Sequence, residues 1–250
     1  MIKHLSTRFL IHHTMQPTDT LGIFKDQDRL FTENLPTSKG IQVYNERIIT
    51  IDGREYRSWN PFRSKLAAAL VKGLHPLEIH PESTVLYLGA ATGTTVSHIS
   101  DIVKNGLVYA VENSPIAMKK LLQISEHRPN IIPILSDANH PERYSLFVTS
   151  VDFVYQDISQ RNQAEIFLRN TTRYLKEDGT GILMVKARSI DVALKPKKAY
   201  DLVAQELQNH GATIHSLADL APFEKDHAAI TVSFSKHDTQ EIKRQKNPKK

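Results

Sequence analysis

The sequence predicts an α/β fold, in which a sheet with helices on both faces follows a small β-rich N-terminal domain. Two observations predict this class. From residue 84 onward, short apolar strand-like segments alternate with longer amphipathic segments, which is typical of a parallel sheet covered by helices. In addition, the segment from Thr84 to Thr95 leads an apolar strand through a glycine-containing turn into the start of a helix.

The N-terminal region, residues 1–58, is predicted to be the small β-rich domain. Its clearest signal is the turn Asp52-Gly53, which predicts a β-hairpin over residues 46–57. Asn60-Pro61 follows and supplies a helix N-cap and a first-turn proline. We therefore predict a helix over residues 62–74.

The second predicted domain covers residues 59–235, and residues 236–250 form a basic, disordered tail. Within this domain each predicted helix connects two predicted strands. The predicted strands cover 84–89, 107–112, 131–135, 151–157, 181–186, 212–217 and 228–235, and the predicted helices cover 94–104, 115–126, 141–148, 162–175 and 196–210.

Composition excludes several classes of protein. The 250 residues include no cysteine, so disulfides and thiolate metal sites are excluded. No apolar run approaches the roughly 20 residues of a membrane span, and no secretory signal begins the chain, so we expect a cytoplasmic protein. The twelve histidines are scattered without ligand spacing, so we expect no metal.

Positive charge is concentrated in two places. The net charge is +5, and residues 236–250 hold six Lys or Arg against two acids, a net of +4. This tail is either a solvated terminus or a segment attracted to phosphate. The second concentration lies just before the glycine turn and consists of Arg54, Arg57, Arg63, Lys65 and Lys72.

The glycine turn after the first strand predicts a site for a nucleotide-like cofactor. Gly89 and Gly93 allow the backbone to approach a ligand, and the helix start at Thr94 offers unpaired N–H groups. The spacing is G-x-x-x-G, so Ala91 and Thr94 stand where the dinucleotide fingerprint requires its further glycine. The alternative is a plain strand–turn–helix corner.

Polar residues end the following strands, where an open α/β sheet binds its ligands. Glu112 lies about 20 residues beyond the turn, where a carboxylate accepts hydrogen bonds from ribose hydroxyls; the alternative is a surface carboxylate. Asp137-Ala138 follows the third strand and either meets an adenine edge or caps a turn.

Asp157 and Lys186 end the fourth and fifth strands. One helix-containing crossover separates them, so we expect adjacent strands about 4.8 Å apart. A lysine that closes an apolar strand is costly unless it is paired or functional. The pair is therefore either part of an active site, with Lys65 as a third member, or a salt bridge on the rim.

Several longer segments resemble the fibrillarin family, and specifically its archaeal form. The resemblance covers roughly residues 40–235. The motifs occur in the same order as in the family, and they lie at 59–69, 86–101, 130–138, 185–191 and 222–227.

This resemblance implies a Rossmann-like methyltransferase sheet and an S-adenosylmethionine-dependent RNA 2′-O-methyltransferase. The catalytic group it implies comprises Lys65, Asp157, Lys186 and His227. The cofactor-binding residues that we expect are Gly89, Ala91, Gly93, Thr94, Thr95, Glu112, Asn113, Asp137, Ala138, Asp157, Ile158, Ser159 and Gln160. The RNA-binding residues that we expect are Arg57, Arg63, Lys65 and Arg188.

The resemblance also implies partners: a box C/D guide RNA, substrate rRNA or tRNA, a Nop-type scaffold protein and a ribosomal-protein-like kink-turn binder. The chain departs from the family pattern at Asn113, where an aromatic residue is common, and at Ile158-Ser159. Two other functions stay open at this stage: a nicotinamide-dependent oxidoreductase and a structural ribonucleoprotein subunit without activity.

Overall fold

The small N-terminal sheet is antiparallel, and its strands are short. The computed structural model describes residues 13–74 and 77–234. The five strands have the spatial order β1-β2-β3-β5-β4. They are β1 Gln16–Pro17, β2 Ile23–Asp26, β3 Arg29–Glu33, β4 Ile48–Ile51 and β5 Arg54–Trp59. The predicted hairpin is confirmed, because Ile51 pairs with Arg54 across the two-residue turn Asp52-Gly53, in which both residues have positive φ.

The large sheet has seven strands in the order β11-β12-β10-β9-β6-β7-β8. Its strands are β6 Thr84–Leu88, β7 Leu107–Glu112, β8 Ile131–Leu135, β9 Val151–Gln156, β10 Leu175–Lys186, β11 Ala212–Asp219 and β12 His227–Phe234. The helices are α1 Lys65–Val71, α2 Thr94–Ile102, α3 Pro115–Ser125, α4 Gln163–Tyr174, α5 Ala187–Ile190 and α6 Pro196–Asn209. The predicted α/β class with helices on both faces is confirmed.

Successive side chains of the central strands point to opposite faces of the sheet, where they pack into two separate hydrophobic layers. On β6, Val85 and Tyr87 face the layer formed with α1, α2 and α3, whereas Leu86 and Leu88 face the layer formed with α4 and α6. The N-terminal sheet contributes Trp59 to the first layer, as do Ile23 and Leu30. The small sheet therefore packs against the same face of the large sheet as α2.

Four sequence predictions about the elements were wrong. The sheet is mixed, because β12 runs antiparallel to both β10 and β11; the connection from Asp219 to His227 is too short for a parallel crossover. The strand predicted to begin at 181 begins at Leu175, with a register shift against β9 before Thr180. The helix predicted over 141–148 is a single 3₁₀ turn, Pro141–Tyr144.

The fourth concerns the start of α1. It begins at Lys65 and not at residue 62, and Ser64 is its N-cap. The Asn60 side chain instead accepts a hydrogen bond from the Phe62 N–H, which closes a separate turn. As a result, Lys65 occupies the first helical position, at the end of the helix that faces the strand ends.

A buried ionic cluster joins the two sheets. The Arg57 guanidinium donates to Glu46 at 2.7 Å and to Asp101 of α2 at 2.7 Å, and Arg128 donates to the other oxygen of Asp101 at 2.5 Å. All four side chains are at least 96 % buried. Two positive and two negative groups balance, which is the condition for tolerating charges in a protein interior.

A buried histidine extends this ionic cluster. His98 of α2 is fully buried and stacks on Trp59, with ring centroids 4.8 Å apart, so Trp59 packs where the small sheet meets α2. The ring nitrogens lie 2.7 Å from the Thr32 hydroxyl and 2.8 Å from the Tyr44 hydroxyl. Burial, together with the charges of Arg57 and Arg128, holds the pKa of His98 well below its ordinary value.

No helix among residues 13–74 and 77–234 is long and apolar enough to cross a membrane. The basic tail at 236–250 lies outside the described residues.

Replacing Asp101 by Asn is expected to lower the free energy of unfolding by about 3–5 kcal/mol, because it leaves Arg57 and Arg128 buried without a matching charge. Denaturant unfolding followed by circular dichroism measures this change. Asp201→Asn is the matched control, since Asp201 is an exposed aspartate on a helix, and we expect a change within about 0.5 kcal/mol. Equal effects of the two substitutions would contradict the role of the ionic cluster.

Stability is expected to fall as the pH drops below about 6.5, the ordinary pKa of histidine. The unfolded chain then binds a proton at His98 that the folded protein does not bind, so unfolding is favoured by up to about 1.4 kcal/mol per pH unit. Unfolding free energies measured between pH 7.5 and 5 test this expectation. His98→Gln is expected to have a shallower pH dependence; an unchanged slope would rule out His98 as the source.

Candidate active site

A cleft lies at the carboxyl ends of the parallel strands. Its first half is a cavity of about 280 Å³ between the ends of β6, β7, β8 and β9. The residues that line it are Gly89, Ala91, Val111, Glu112, Asn113, Ser136, Asp137, Ala138, Asp157, Ile158, Ser159 and Gln160. This is the edge at which open α/β sheets bind ligands.

The second half of the cleft lies between the glycine turn and the start of α1. It is a cavity of about 150 Å³. It shares Gly89, Ala91 and Asp157 with the first half, so the two cavities meet at the end of β6. Its further lining residues are Arg63, Ser64, Lys65, Tyr87, Ala90, Thr92, Thr94, Thr95 and Glu224.

The structure thus brings nearly all of the predicted cofactor residues together. Thr94 and Thr95 line the second half of the cleft, and the others, except Gly93, line the first. Gly93 lines neither half. It is the N-cap of α2 with φ of +87°, and a Cβ placed there would lie 2.7 Å from the Ile124 side chain. Its contribution is to begin α2 at this position.

Gly89 lets two strand ends approach each other at the floor of the cleft. Its φ is +83°, and an added Cβ would lie 2.3 Å from the backbone oxygen of Asp157. The Asp157 N–H in turn donates to Leu88 at 2.9 Å. A side chain at position 89 would therefore displace the backbone that carries Asp157.

Glu112 is held with its carboxylate facing the cavity. One oxygen accepts a hydrogen bond from the Ala91 N–H at 2.7 Å, and the other accepts one from the Ser114 N–H at 2.8 Å. The side chain ties the end of β7 to the glycine turn and to the start of α3. Each carboxylate oxygen can accept a further hydrogen bond, so the group remains able to receive ligand hydroxyls.

For Asp137 the sequence left two roles open, a contact with an adenine edge and the cap of a turn, and the position of Asp137 is compatible with both. Its carboxylate caps a turn by accepting from the N–H of Asn139 at 2.9 Å, and it also lines the cavity. This backbone hydrogen bond, with that from the Asn139 side chain, holds the pKa of Asp137 below its ordinary value, against the effect of burial. Asn139 also donates to Gln160 at 2.8 Å, which closes this wall.

An ion pair stands where the two halves of the cleft meet. The Lys65 ammonium lies 2.9 and 2.8 Å from the two carboxylate oxygens of Asp157. About a fifth of each side chain is exposed, so the pair is accessible from the cleft. The sequence predicted Lys65 only as a third member, yet it is the lysine that pairs with Asp157.

Lys186 and His227 end β10 and begin β12, the two strands beyond β9 in the sheet, and neither lines either half of the cleft. β10 pairs with β9, as predicted, and Lys186 is the register partner of His227 on β12. Gln163 fixes the Lys186 backbone by accepting from its N–H at 2.9 Å. Within the described part of the chain, the Lys186 ammonium makes no hydrogen bond or ion pair, so its donors are available.

The start of α2 adds a partial positive charge to the second half of the cleft. Gly93 supplies no side-chain cap, so the N–H groups of the first turn are not satisfied by a side chain at that position. The Thr95 hydroxyl lies 2.9 Å from the Ser64 hydroxyl, which connects the first turns of α2 and α1. Such a helix start favours a carboxylate.

The predicted RNA contacts have different outcomes. The prediction for Arg57 is wrong, because its guanidinium is fully buried in the ionic cluster. Lys65 and Arg63 line the second half of the cleft, and Arg188 is exposed. Arg188 is paired with Asp226 at 2.9 Å. Contacts of Arg63, Lys65 and Arg188 with RNA stay predictions.

Seven lining residues were not predicted from the sequence. Ser136 and Ser64 adjoin predicted residues, and Glu224 lies inside a motif already singled out, so proximity in sequence could have suggested them. Strand alternation assigns a face but not the depth of a cavity, so it could not have identified the strand residues. The seven are Ser64, Tyr87, Ala90, Thr92, Val111, Ser136 and Glu224.

Among the residues that the structure describes, no group of three or more His, Asp or Glu side chains could hold a metal ion.

Comparison with known proteins shows the family. The family model described as Fibrillarin matches residues 14–236. The chain belongs to the fibrillarin family. A relative from Sulfolobus acidocaldarius, named fibrillarin-like rRNA/tRNA 2′-O-methyltransferase, is 49 % identical over 214 residues, which cover 85 % of this chain and 92 % of the relative.

Two solved structures of fibrillarins are similar to this fibrillarin-family chain. Aeropyrum pernix fibrillarin, described in complex with natively bound S-adenosyl-L-methionine, has a TM-score of 0.79 at 42 % identity, covering 88 % of this chain and 97 % of that one. A fibrillarin/Nop5p complex contains a chain with a TM-score of 0.78 at 44 % identity, covering 85 % and 97 %. Membership of this family, whose relative is named a methyltransferase, does not support the nicotinamide-dependent oxidoreductase that the sequence left open.

Proposed function

We propose that this fibrillarin-family protein transfers the methyl group of S-adenosylmethionine to a ribose 2′-hydroxyl in rRNA or tRNA. We further propose that it acts as the catalytic subunit of a box C/D guide ribonucleoprotein. The names and descriptions of the relatives support the activity, the cofactor and a Nop-type partner. The observation that carries the proposal is the Lys65–Asp157 ion pair at the junction of the two halves of the cleft.

The residues of the cleft fit the chemistry of this cofactor. The Glu112 carboxylate would accept hydrogen bonds from the ribose hydroxyls. Asp137, Ala138 and Gln160, which line the cavity beside it, would contact the adenine. The start of α2, at Thr94 and Thr95, would hold the carboxylate of the methionine part. Adenosylmethionine has no pyrophosphate, which agrees with a G-x-x-x-G turn in place of the dinucleotide fingerprint. When bound, the cofactor supplies an electrophilic methyl group on a sulfonium.

The protein's own task in this reaction is to position the attacking hydroxyl. Lys65 pairs with both carboxylate oxygens of Asp157, and the Lys186 ammonium has no carboxylate partner among the described residues. We assign to Lys186 the orientation of the 2′-hydroxyl through a hydrogen bond to its oxygen. His227, held by its Nδ1 contact of 2.8 Å with the Lys225 backbone oxygen, stands next to Lys186 on β12. Recognition of a 2′-hydroxyl selects RNA over DNA.

The distribution of charge supports dependence on partners for RNA affinity. Of the net charge of +5, +4 lies in residues 236–250, and Arg57 is removed from the surface by burial. Phosphate binding grows with the number of neutralised charges. We therefore propose that guide RNA, a Nop-type scaffold and a kink-turn-binding protein supply most of the affinity and the choice of site.

Transfer of labelled methyl from S-adenosylmethionine to RNA tests the proposed function directly. The assay compares the protein alone with the protein plus guide RNA, scaffold and kink-turn binder. We expect efficient methylation only in the assembled mixture, at a ribose 2′-oxygen identified by resistance of the adjacent bond to alkaline cleavage. Absence of methylation in every mixture would refute the proposed activity, and efficient site-specific methylation by the protein alone would refute the dependence on partners.

Lys186→Ala is expected to lower the rate of methyl transfer by about 10²-fold or more, because it removes a group that positions the nucleophile. Binding of S-adenosylmethionine, measured by calorimetry, is expected to change less than threefold. Lys176→Ala is the control, since Lys176 pairs with Asp152 at the opposite edge of the sheet. A purely structural subunit is the alternative, and a Lys186→Ala variant with unchanged activity would favour it.

Gly89→Ala is expected to weaken cofactor binding by at least tenfold, since the added Cβ would lie 2.3 Å from the Asp157 backbone oxygen. Gly73→Ala controls for backbone strain alone: its φ of +82° matches the +83° of Gly89, and nothing lies within 4 Å of an added Cβ. We expect both variants to lose stability, but only Gly89→Ala to lose cofactor affinity in calorimetric titrations. Equal affinities would show that the approach at Gly89 does not shape the site.

A further inference from the structure

A second groove leads away from the cleft, between the small sheet and α3. It has a volume of about 510 Å³. One wall is the loop 38–45, and the other is the face of α3 that carries Lys120 and Gln123. The groove and the second half of the cleft share Arg63, Thr92 and Thr94. The groove and the second half of the cleft therefore adjoin at these three residues.

The charge of this groove has one sign. Arg63 and Lys120 line it and are exposed, and so is His127 beyond the end of α3. None of the described residues that line it is an aspartate or glutamate. Arg128 also lines it, but its charge is matched by Asp101. The exposed positive side chains of Arg63 and Lys120 attract an anionic ligand, and no carboxylate that lines the groove competes with that ligand.

The walls of the groove are fixed before any ligand binds. The N–H groups of Val43 and Tyr44 donate to the buried Glu46 carboxylate at 3.0 and 2.8 Å. The Ser38 hydroxyl donates to the backbone oxygen of His127 at 2.7 Å, which ties the loop to the end of α3. Such preorganisation lowers the ordering cost of binding.

Arg63 stands at the junction of the groove and the cleft. Its guanidinium lies over the Tyr44 ring, 6.0 Å from the centroid, and the Tyr44 hydroxyl is held by the Ser58 backbone and His98. The ring thus places a permanent positive charge between the groove and Lys65. A phosphate next to a ribose in the cleft would meet this guanidinium.

We infer that the groove binds the phosphodiester backbone of RNA next to the ribose that is methylated. The inference rests on the proposed function and extends it to a second set of residues, in which Lys120 contacts phosphate and Gln123 and Thr92 offer neutral hydrogen-bonding groups. Contacts of this kind fix the register of a strand and carry no sequence information. The groove would therefore position the target nucleotide, while base pairing selects it.

The test compares Lys120→Gln with Lys119→Gln in the full-length protein assembled with guide RNA and scaffold. Lys119 is the matched control, because it is the adjacent exposed lysine of α3 and does not line the groove. For Lys120→Gln we expect a threefold to tenfold higher KM for substrate RNA and a kcat within twofold. Cofactor affinity and melting temperature are expected to stay unchanged, and Lys119→Gln should match the unsubstituted protein.

Salt dependence identifies the contact as one with phosphate. The slope of log affinity against log salt, measured by fluorescence anisotropy with labelled substrate RNA, is expected to become shallower by about 0.7–0.9 in Lys120→Gln. A parallel titration of guide RNA distinguishes the two strands. A change in substrate affinity alone supports the inference, whereas a change in guide affinity alone assigns the groove to the guide and would overturn it. Unchanged slopes for both RNAs would overturn the inference.

A second pair of variants adds a negative charge. Gln123→Glu places a carboxylate in the acid-free groove, whereas Gln205→Glu places one at an exposed position of α6. Only Gln123→Glu is expected to weaken RNA binding, by at least threefold. These binding measurements need no methyl transfer, so an inactive protein with a sensitive groove would refute the proposed activity alone, while an active protein with an insensitive groove would refute this inference alone.

Discussion

The ionic cluster of Arg57, Glu46, Asp101 and Arg128 is the constraint on which the rest of the structure depends. It joins the small sheet to α2, and the first turn of α2 is a wall of the cleft. Removing one charged residue from such a cluster destabilises the protein more than replacing the whole cluster by apolar residues would. The reason is that the remaining charges stay buried in a medium that solvates them poorly. The same carboxylate of Glu46 also orders the loop 38–45. The ionic cluster therefore fixes both α2, which lines the cleft, and the loop 38–45, which lines the groove.

The cleft itself results from strand ends that approach more closely than side chains would allow. Gly89 permits the contact with the Asp157 backbone, and Glu112 ties the end of β7 to the same turn. Asp157 then belongs to both halves of the cleft, and Lys65 reaches it because α1 begins three residues later than Asn60-Pro61 indicates. Each of these groups comes from a different element, so the site is a property of the sheet edge and of no single motif.

Much of this architecture could be predicted from the sequence. Strand alternation and glycine positions are local signals, and they located the parallel strands and placed Gly89, Glu112, Asp137 and Asp157 at the strand ends that line the cleft. The positions of these residues were predictable because parallel strands end at one edge.

The failures share a physical cause. Whether Arg57 faces solvent depends on Asp101, 44 residues away, and a basic run in the sequence does not reveal such a partner. The direction of β12 depends on the length of a connection, and the start of α1 depends on which of two side chains, Asn60 or Ser64, caps it. These are competitions between long-range or near-equal interactions, which local patterns do not decide.

The antiparallel direction of β12 has a consequence for the chain beyond it. The strand starts at His227, beside the cleft, and ends at Phe234, seven residues further toward the opposite edge of the sheet. At the usual rise of a strand, this places Phe234 about 23 Å from His227. The described chain therefore ends at the edge of the sheet opposite the cleft, and the six basic residues of 236–250 follow this point in the sequence. One strand thus contributes a side chain next to Lys186 at one end and leads at the other into the segment that carries most of the protein's net charge.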